Sequence, residues 1–106
     1  MRDFQDKVAV ITGGSGGIGR GIAQRFLEAG MRVVLADLDV DGLKEAEQQL
    51  AMYGPVLGVP TDVSKREHVE ALARRTLEEF GAVHVLCNNA GVSVGGVPVA
   101  DLTHQD

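Results

Sequence analysis

Val8-Ala9-Val10-Ile11-Thr12-Gly13-Gly14-Ser15-Gly16-Gly17-Ile18-Gly19 is the stretch from which the rest of the chain can be read. Its first four residues form a short apolar run, the pattern of a strand buried on both faces. Thr12-Gly13 closes that run. The glycines then lead into a segment of helical period, with Ile18, Ile22, Ala23, Phe26 and Leu27 on one face and Arg20, Gln24, Arg25 and Glu28 on the other. Gly30 supplies its stop. A strand, a glycine-rich turn and a helix in this order put unpaired helix amides beside backbone without side chains, which suits a pyrophosphate. Several templates fit. Gly14, Gly16 and Gly19 match G-x-G-x-x-G, Gly13, Gly17 and Gly19 match T-G-x-x-x-G-x-G, and Gly13, Gly16 and Gly19 match T-G-x-x-G-x-x-G. Gly14 and Gly19 also have the spacing of a triphosphate loop. Arg20-Gly21 stand where that loop needs Lys and then Ser or Thr, so it is excluded. By themselves the glycines also fit a tight turn that binds nothing.

Outward from this stretch the same alternation repeats. Arg32 to Ala36 is an apolar strand closed by Asp37, and a helix from Val40 to Met52 follows, with Asp39 as N-cap and Val40, Leu43, Ala46 and Leu50 facing inward. A short strand from Val56 to Val59 precedes Thr61-Asp62-Val63. Ser64 and Glu67 have the capping-box spacing for a third helix, whose apolar stripe is Val69, Leu72, Leu77 and Phe80 and whose stop is Gly81. The fourth strand, Val83 to Cys87, runs into Asn88-Asn89-Ala90-Gly91, and Thr103-His104-Gln105-Asp106 has the spacing of another capping box. The pattern βαβαβαβ predicts an α/β chain, a Rossmann-type doubly wound parallel sheet of strand order 3-2-1-4 with helices on both faces. In that order Thr12-Gly13, Asp37, Asp62 and Asn89 all follow carboxyl ends of strands, where such sheets bind ligands.

Asp37 lies 18 residues after Gly19 at the end of the second strand, the place of an acid that accepts hydrogen bonds from an adenosine ribose. No Arg or Lys falls between Gly13 and Gly19, and Leu38 follows Asp37, so nothing there neutralises a 2′-phosphate. The expected cofactor is therefore NAD(H), with NADP(H) disfavoured.

The totals agree with one soluble domain. The 106 residues are 44% hydrophobic and 24% charged, and six of the 14 glycines fall between Gly13 and Gly21. A net charge of −5 argues against a general nucleic-acid binder, which needs a basic face. The single cysteine, Cys87, excludes an internal disulfide and fits a reducing compartment. No apolar run approaches the ~20 residues of a membrane span. Two acids near the start, Asp3 and Asp6, do not fit a signal peptide, which makes the cytoplasm the expected location. His68, His84 and His104 lie in separate elements, which gives little support for a metal site.

The sequence resembles the short-chain dehydrogenase/reductase family. Val-Ile-Thr-Gly-Gly-Ser-Gly-Gly-Ile-Gly (10–19), Ala36-Asp37, Asp62-Val63 and Asn88-Asn89-Ala90-Gly91 occur in the family's order and cover nearly the whole chain. The last is the most specific, and it selects the T-G-x-x-x-G-x-G branch. The resemblance implies that Gly13, Ser15, Gly16, Gly17, Ile18 and Gly19 line the pyrophosphate and neighbouring ribose. It further implies Asp37 on the adenosine ribose, Asp62 and Val63 beside the adenine, and Asn89, Ala90 and Gly91 beside the nicotinamide ribose, with Asn88 structural. The family's Tyr-x-x-x-Lys pair and Ser act downstream of Asn-Asn-Ala-Gly. Here the one tyrosine, Tyr53, has Leu57 four residues later. Residues 1–106 therefore read as the NAD(P)-binding portion of a longer single-domain enzyme that interconverts a secondary alcohol and a ketone and forms homo-oligomers, this portion alone being inactive. The alternative is a non-catalytic dinucleotide-binding or NAD(H)-sensing module.

Overall fold

The apolar run at 8–11 forms β1 (Val8–Thr12), with all five residues buried. The computed structural model describes residues 4–89. Within them β1 pairs in parallel with β2 (Arg32–Asp37) on one side and β4 (Val85–Asn88) on the other, and β2 pairs in parallel with β3 (Val56–Pro60). The resulting order is β3-β2-β1-β4, the one the sequence pattern predicts. Three helices return the chain between the strands: α1 (Gly17–Glu28), α2 (Val40–Leu50) and α3 (Arg66–Phe80).

Both faces of the central strands are covered. Ile11, Val33, Leu35 and Cys87 meet Ala23 and Leu27 of α1 and Leu43, Ala46 and Leu50 of α2. On the other face Val10, Val34, Ala36 and Val59 meet Leu72 of α3, with Phe80 packed alongside. Successive β2 side chains from Val33 to Ala36 point to opposite faces yet all find an apolar partner, which is why that stretch reads as an unbroken hydrophobic run. At the outer edge of β3 the Gly58 N–H donates to Glu47 Oε2 of α2 at 2.6 Å, so one edge amide is satisfied by a side chain.

Several element ends differ from the sequence expectation, each for a local reason. Ile18 and Val40 are 72% and 45% exposed, not inward, because each lies in the first turn of its helix. The second helix stops at Leu50, and Ala51–Tyr53 tighten into a 3₁₀ turn. Ser64 does not cap α3. Its hydroxyl and amide both donate to Asp62 Oδ1, at 2.6 and 3.0 Å, a local turn that competes with capping. The helix begins instead at Arg66, and His68 reaches back to accept the Asp62 N–H on Nδ1 at 3.0 Å.

In α3 the buried pair is Leu72 and Thr76, while Val69 and Leu77 are exposed. Thr76 can turn inward because its hydroxyl donates to the Leu72 carbonyl at 2.8 Å. β4 starts at Val85, later than Val83. His84 stands before it, its N–H donating to the Val8 carbonyl at 2.8 Å and its Nδ1 accepting the Val8 N–H at 2.9 Å. Among the described residues no helix is long and apolar enough to cross a membrane. The expected capping box at 103–106 lies outside the described residues.

Candidate functional site

The turn between β1 and α1 is shaped by three of its glycines. Gly13 sits at φ 65°, a left-handed conformation that a side chain strains. A Cβ on Gly19 would run into the Gly13 carbonyl oxygen and lie 2.9 Å from Gly14 Cα, so α1 can start this close to β1 only without one. A Cβ on Gly14 would meet Leu35 Cβ at 2.8 Å. Gly16 and Gly17 differ. The nearest atom to a Cβ on Gly16 is the Gly13 oxygen at 3.7 Å, and a Cβ on Gly17 would meet nothing within 4 Å. Packing among the described residues therefore requires glycine at 13, 14 and 19, would admit a Cβ at 16 in ordinary contact, and leaves 17 facing open space. Gly16 is the N-cap of α1 with no side-chain capping bond, and no acid lies in the first turn. The amides and dipole of that helix end are thus turned towards the same space.

Asp37 ends β2 beside this turn. Ser15 donates both its amide and its hydroxyl to Asp37 Oδ2, at 3.1 and 2.7 Å, and the Asp39 N–H donates to Oδ1 at 3.2 Å. Burial would push the Asp37 carboxyl upward, but the bonds from the Ser15 hydroxyl and amide and from the amides of Asp39 and Leu38 outweigh it and hold the group below the usual carboxylate range. The acid is therefore ionised at neutral pH and already oriented. Asp39 N-caps α2 as expected, accepting the Gly42 N–H at 3.0 Å.

Backbone bonds tie the other strand ends to the same rim. The Gly14 N–H donates to the Ala36 carbonyl at 3.2 Å, the Thr61 N–H to the Asp37 carbonyl at 2.8 Å, and the Asn89 N–H to the Thr12 carbonyl at 3.2 Å. Asp62 and Val63 follow β3. The Ser64 hydroxyl and amide, with the Lys65 charge nearby, hold the Asp62 carboxyl below its ordinary value. Val63 is 47% exposed and Leu38, after β2, 69%. Gly13, Ser15, Gly16, Gly17, Ile18, Gly19, Asp37, Asp62, Val63 and Asn89 therefore all stand at the carboxyl ends of adjacent strands; Ala90 and Gly91 lie outside the described residues.

Three residues at this rim make side-chain bonds that the sequence does not show. Thr12, buried at the end of β1, accepts the Asn89 N–H on Oγ1 at 3.0 Å and donates to Asn88 Oδ1 at 2.8 Å, binding the fourth strand's exit to the first. His68 holds the Asp62 amide. Arg20, assigned by helical period to the solvent face, bends into the groove between α1 and α2. A cavity of about 400 Å³ lies at the opposite, amino-terminal end of the sheet, lined by Gln5, Asp6, Gly30, Arg32, Tyr53 and Phe80 among others. Arg32 there is already engaged, 3.5 Å from Asp6 and 6.0 Å from the centre of the Phe80 ring. Burial pushes the Cys87 thiol up, as befits a small buried side chain in the core.

Comparison with known proteins places this architecture. The family model described as short chain dehydrogenase matches residues 7–106. The chain is 44% identical over 97 residues to 3beta-hydroxysteroid dehydrogenase 2 of Eggerthella lenta, an alignment covering 91% of this chain and 37% of that protein. The crystal structure of a short chain dehydrogenase/reductase from Burkholderia phymatum in complex with NAD superposes with a TM-score of 0.77 at 47% identity, covering 81% of this chain and 31% of that one. L-Sorbose reductase from Gluconobacter frateurii, solved with NADPH and L-sorbose, superposes with a TM-score of 0.81 at 40% identity, covering 88% and 36%. The chain thus spans about a third of the length of these relatives. With a Rossmann-fold sheet of the expected strand order and a family match running from residue 7 to residue 106, the chain belongs to the short-chain dehydrogenase/reductase family of oxidoreductases.

Proposed function

We propose that residues 1–106 are the cofactor-binding part of a longer NAD(H)-dependent oxidoreductase that interconverts a secondary alcohol and a ketone. The observation that carries this reading is the pair Gly16 and Gly17. Packing among the described residues needs no glycine at either position, where a Cβ would make only an ordinary contact at 16 and none at 17, yet both stand at an uncapped helix N-terminus beside a hydrogen-bonded carboxylate. A turn that served packing alone would explain Gly13, Gly14 and Gly19 and leave these two without a reason. Close approach of a pyrophosphate to the backbone supplies one.

The residues present fit an adenine dinucleotide. The amides of Gly17, Ile18 and Gly19 would hold the pyrophosphate, and the Asp37 carboxylate would accept the adenosine ribose hydroxyls. The exposed apolar side chains of Leu38 and Val63 offer faces for the adenine, with the Asp62 carboxylate near its exocyclic amine. Asn89, with Ala90 and Gly91, would run beside the nicotinamide ribose. The ionised Asp37 would repel a 2′-phosphate, which favours NAD(H) over NADP(H), the relatives having been solved with either. When bound, the nicotinamide supplies the hydride acceptor or donor. The general acid/base and its partners come from the chain beyond residue 106, so these residues bind and orient without catalysing.

The test is fluorescence titration of the complete gene product with NADH, followed by turnover with NAD⁺ and a panel of secondary alcohols. Saturable NADH binding and alcohol-dependent NADH formation are expected. Absence of saturable binding overturns the cofactor assignment. Binding without turnover, in a gene product lacking Tyr-x-x-x-Lys, would favour the sensing module.

A further inference from the structure

Arg20 is used differently from every other charged side chain in the described residues. Its side chain is only 20% exposed. Its Nε donates to the Ser15 carbonyl at 2.7 Å, one Nη to Gln49 Oε1 at 2.7 Å, and the other to both the Gly42 carbonyl at 3.2 Å and Glu45 Oε1 at 2.9 Å. Three of these four acceptors belong to α2, and the fourth is the carbonyl of the turn residue whose amide and hydroxyl hold Asp37. The Ser15 peptide is thus gripped on two sides, by Arg20 at its carbonyl and by Asp37 at its amide. The first turn of α2 closes in on the same residue. A Cβ on Gly42 would come within 3.0 Å of Ser15 Cβ and 2.5 Å of Asp39 Oδ2.

From this geometry we infer that Arg20 is a positioning residue for the cofactor site: by locking Ser15 between α1 and α2, it sets the Asp37 carboxylate in the orientation that receives the ribose. The inference rests on reading the Asp37 rim as the dinucleotide site. It concerns a residue that need not touch the cofactor. The guanidinium is required for its shape as well as its charge. Its planar fork spans the turn and the helix together, and an ammonium on a flexible stem cannot reach these acceptors at once. The exposed Glu45 contributes little by its charge alone, since surface ion pairs are weak. What matters is the connection from Ser15 to α2.

The test compares wild type, Arg20→Gln and Arg20→Lys in the complete gene product by two readouts. The first is the dissociation constants for NADH and NADPH. Loss of Arg20 is expected to weaken NADH binding roughly tenfold, the scale of one charge-assisted hydrogen bond, while NADPH binding changes little, so the preference narrows. Arg20→Lys, which keeps the charge and folds as a conservative variant, is expected to behave like Arg20→Gln. The second readout is the Asp37 carboxyl followed by ¹³C NMR against pH without cofactor. Its midpoint is expected to move up towards the ordinary carboxylate value in both variants. A purely structural Arg20 would lower the Tm and leave both readouts unchanged in the folded protein, and that result overturns the inference. So does full rescue by Arg20→Lys. If wild type itself does not bind NADH, the cofactor reading fails, and the Asp37 titration still decides whether Arg20 positions that carboxylate.

Discussion

Asp37 is held by two hydrogen bonds from Ser15, which has consequences for binding and for acid stability. Charge-assisted hydrogen bonds are worth about 1.5–3 kcal/mol each, so Asp37→Ala is expected to weaken NADH binding by roughly tenfold to a hundredfold. Asp37→Arg should move the preference towards NADPH; paired titrations showing an unchanged NADH-to-NADPH ratio would remove Asp37 as the discriminator. The carboxyl lies below its ordinary value of 3.8 in the fold, so its ionised form stabilises the native state above that value, and the contribution is lost as pH falls through the lower folded value. The Tm gap between wild type and Asp37→Asn should therefore shrink as pH falls through and below the ordinary carboxylate range, and a gap constant with pH would contradict the Ser15 bonds as its source. That an acid after the second strand would stand near the glycine turn was legible, because strands 1 and 2 are neighbours in any such sheet. Its hydrogen-bond partner was not. Period places Arg20 on the polar face of α1 but says nothing of how far a long side chain bends back, and nothing in the spelling of His68 marks it as an acceptor for the Asp62 amide.

The β1–α1 turn separates glycines that packing requires from those it does not. Gly19→Ala puts a methyl group against the Gly13 carbonyl and should cost about 1–3 kcal/mol, as other overpacked sites do. Gly17→Ala meets nothing within 4 Å and lies at the first position of α1, so no steric cost is expected there. Thermal melts should show the first variant destabilised and the second equal to or above wild type, while NADH titration shows Gly17→Ala weakened. A Gly17→Ala protein that binds NADH as well as wild type would return these glycines to simple turn formers. The strands were legible for a related reason: Val33 to Ala36 are apolar at every position because both faces are covered. The ends were less so. The start of α3 depends on a turn among Asp62, Ser64 and His68, and the start of β4 on a histidine ring bonded to the Val8 amide, side-chain arrangements that periodicity does not encode.

Winding order brings the carboxyl-end segments of the described strands to one edge. Because β1 lies between β2 and β4, the segments after β1, β2, β3 and β4 emerge side by side, and backbone bonds from Gly14, Thr61 and Asn89 lock each to its neighbour. The amino-terminal end of the same sheet, despite its cavity, presents an arginine already engaged by an acid and a ring. The proposed dinucleotide site therefore lies at the carboxyl-end rim, where the described residues bring Ser15, Asp37, Asp62 and Asn89 together. The most direct measurement is a crystal structure of the complete gene product with NADH. The adenosine ribose hydroxyls are expected within hydrogen-bond distance of the Asp37 carboxylate, and the pyrophosphate on the amides of Gly17 to Gly19. A dinucleotide bound elsewhere, or bound at this rim with its ribose turned away from Asp37, would contradict the assignment.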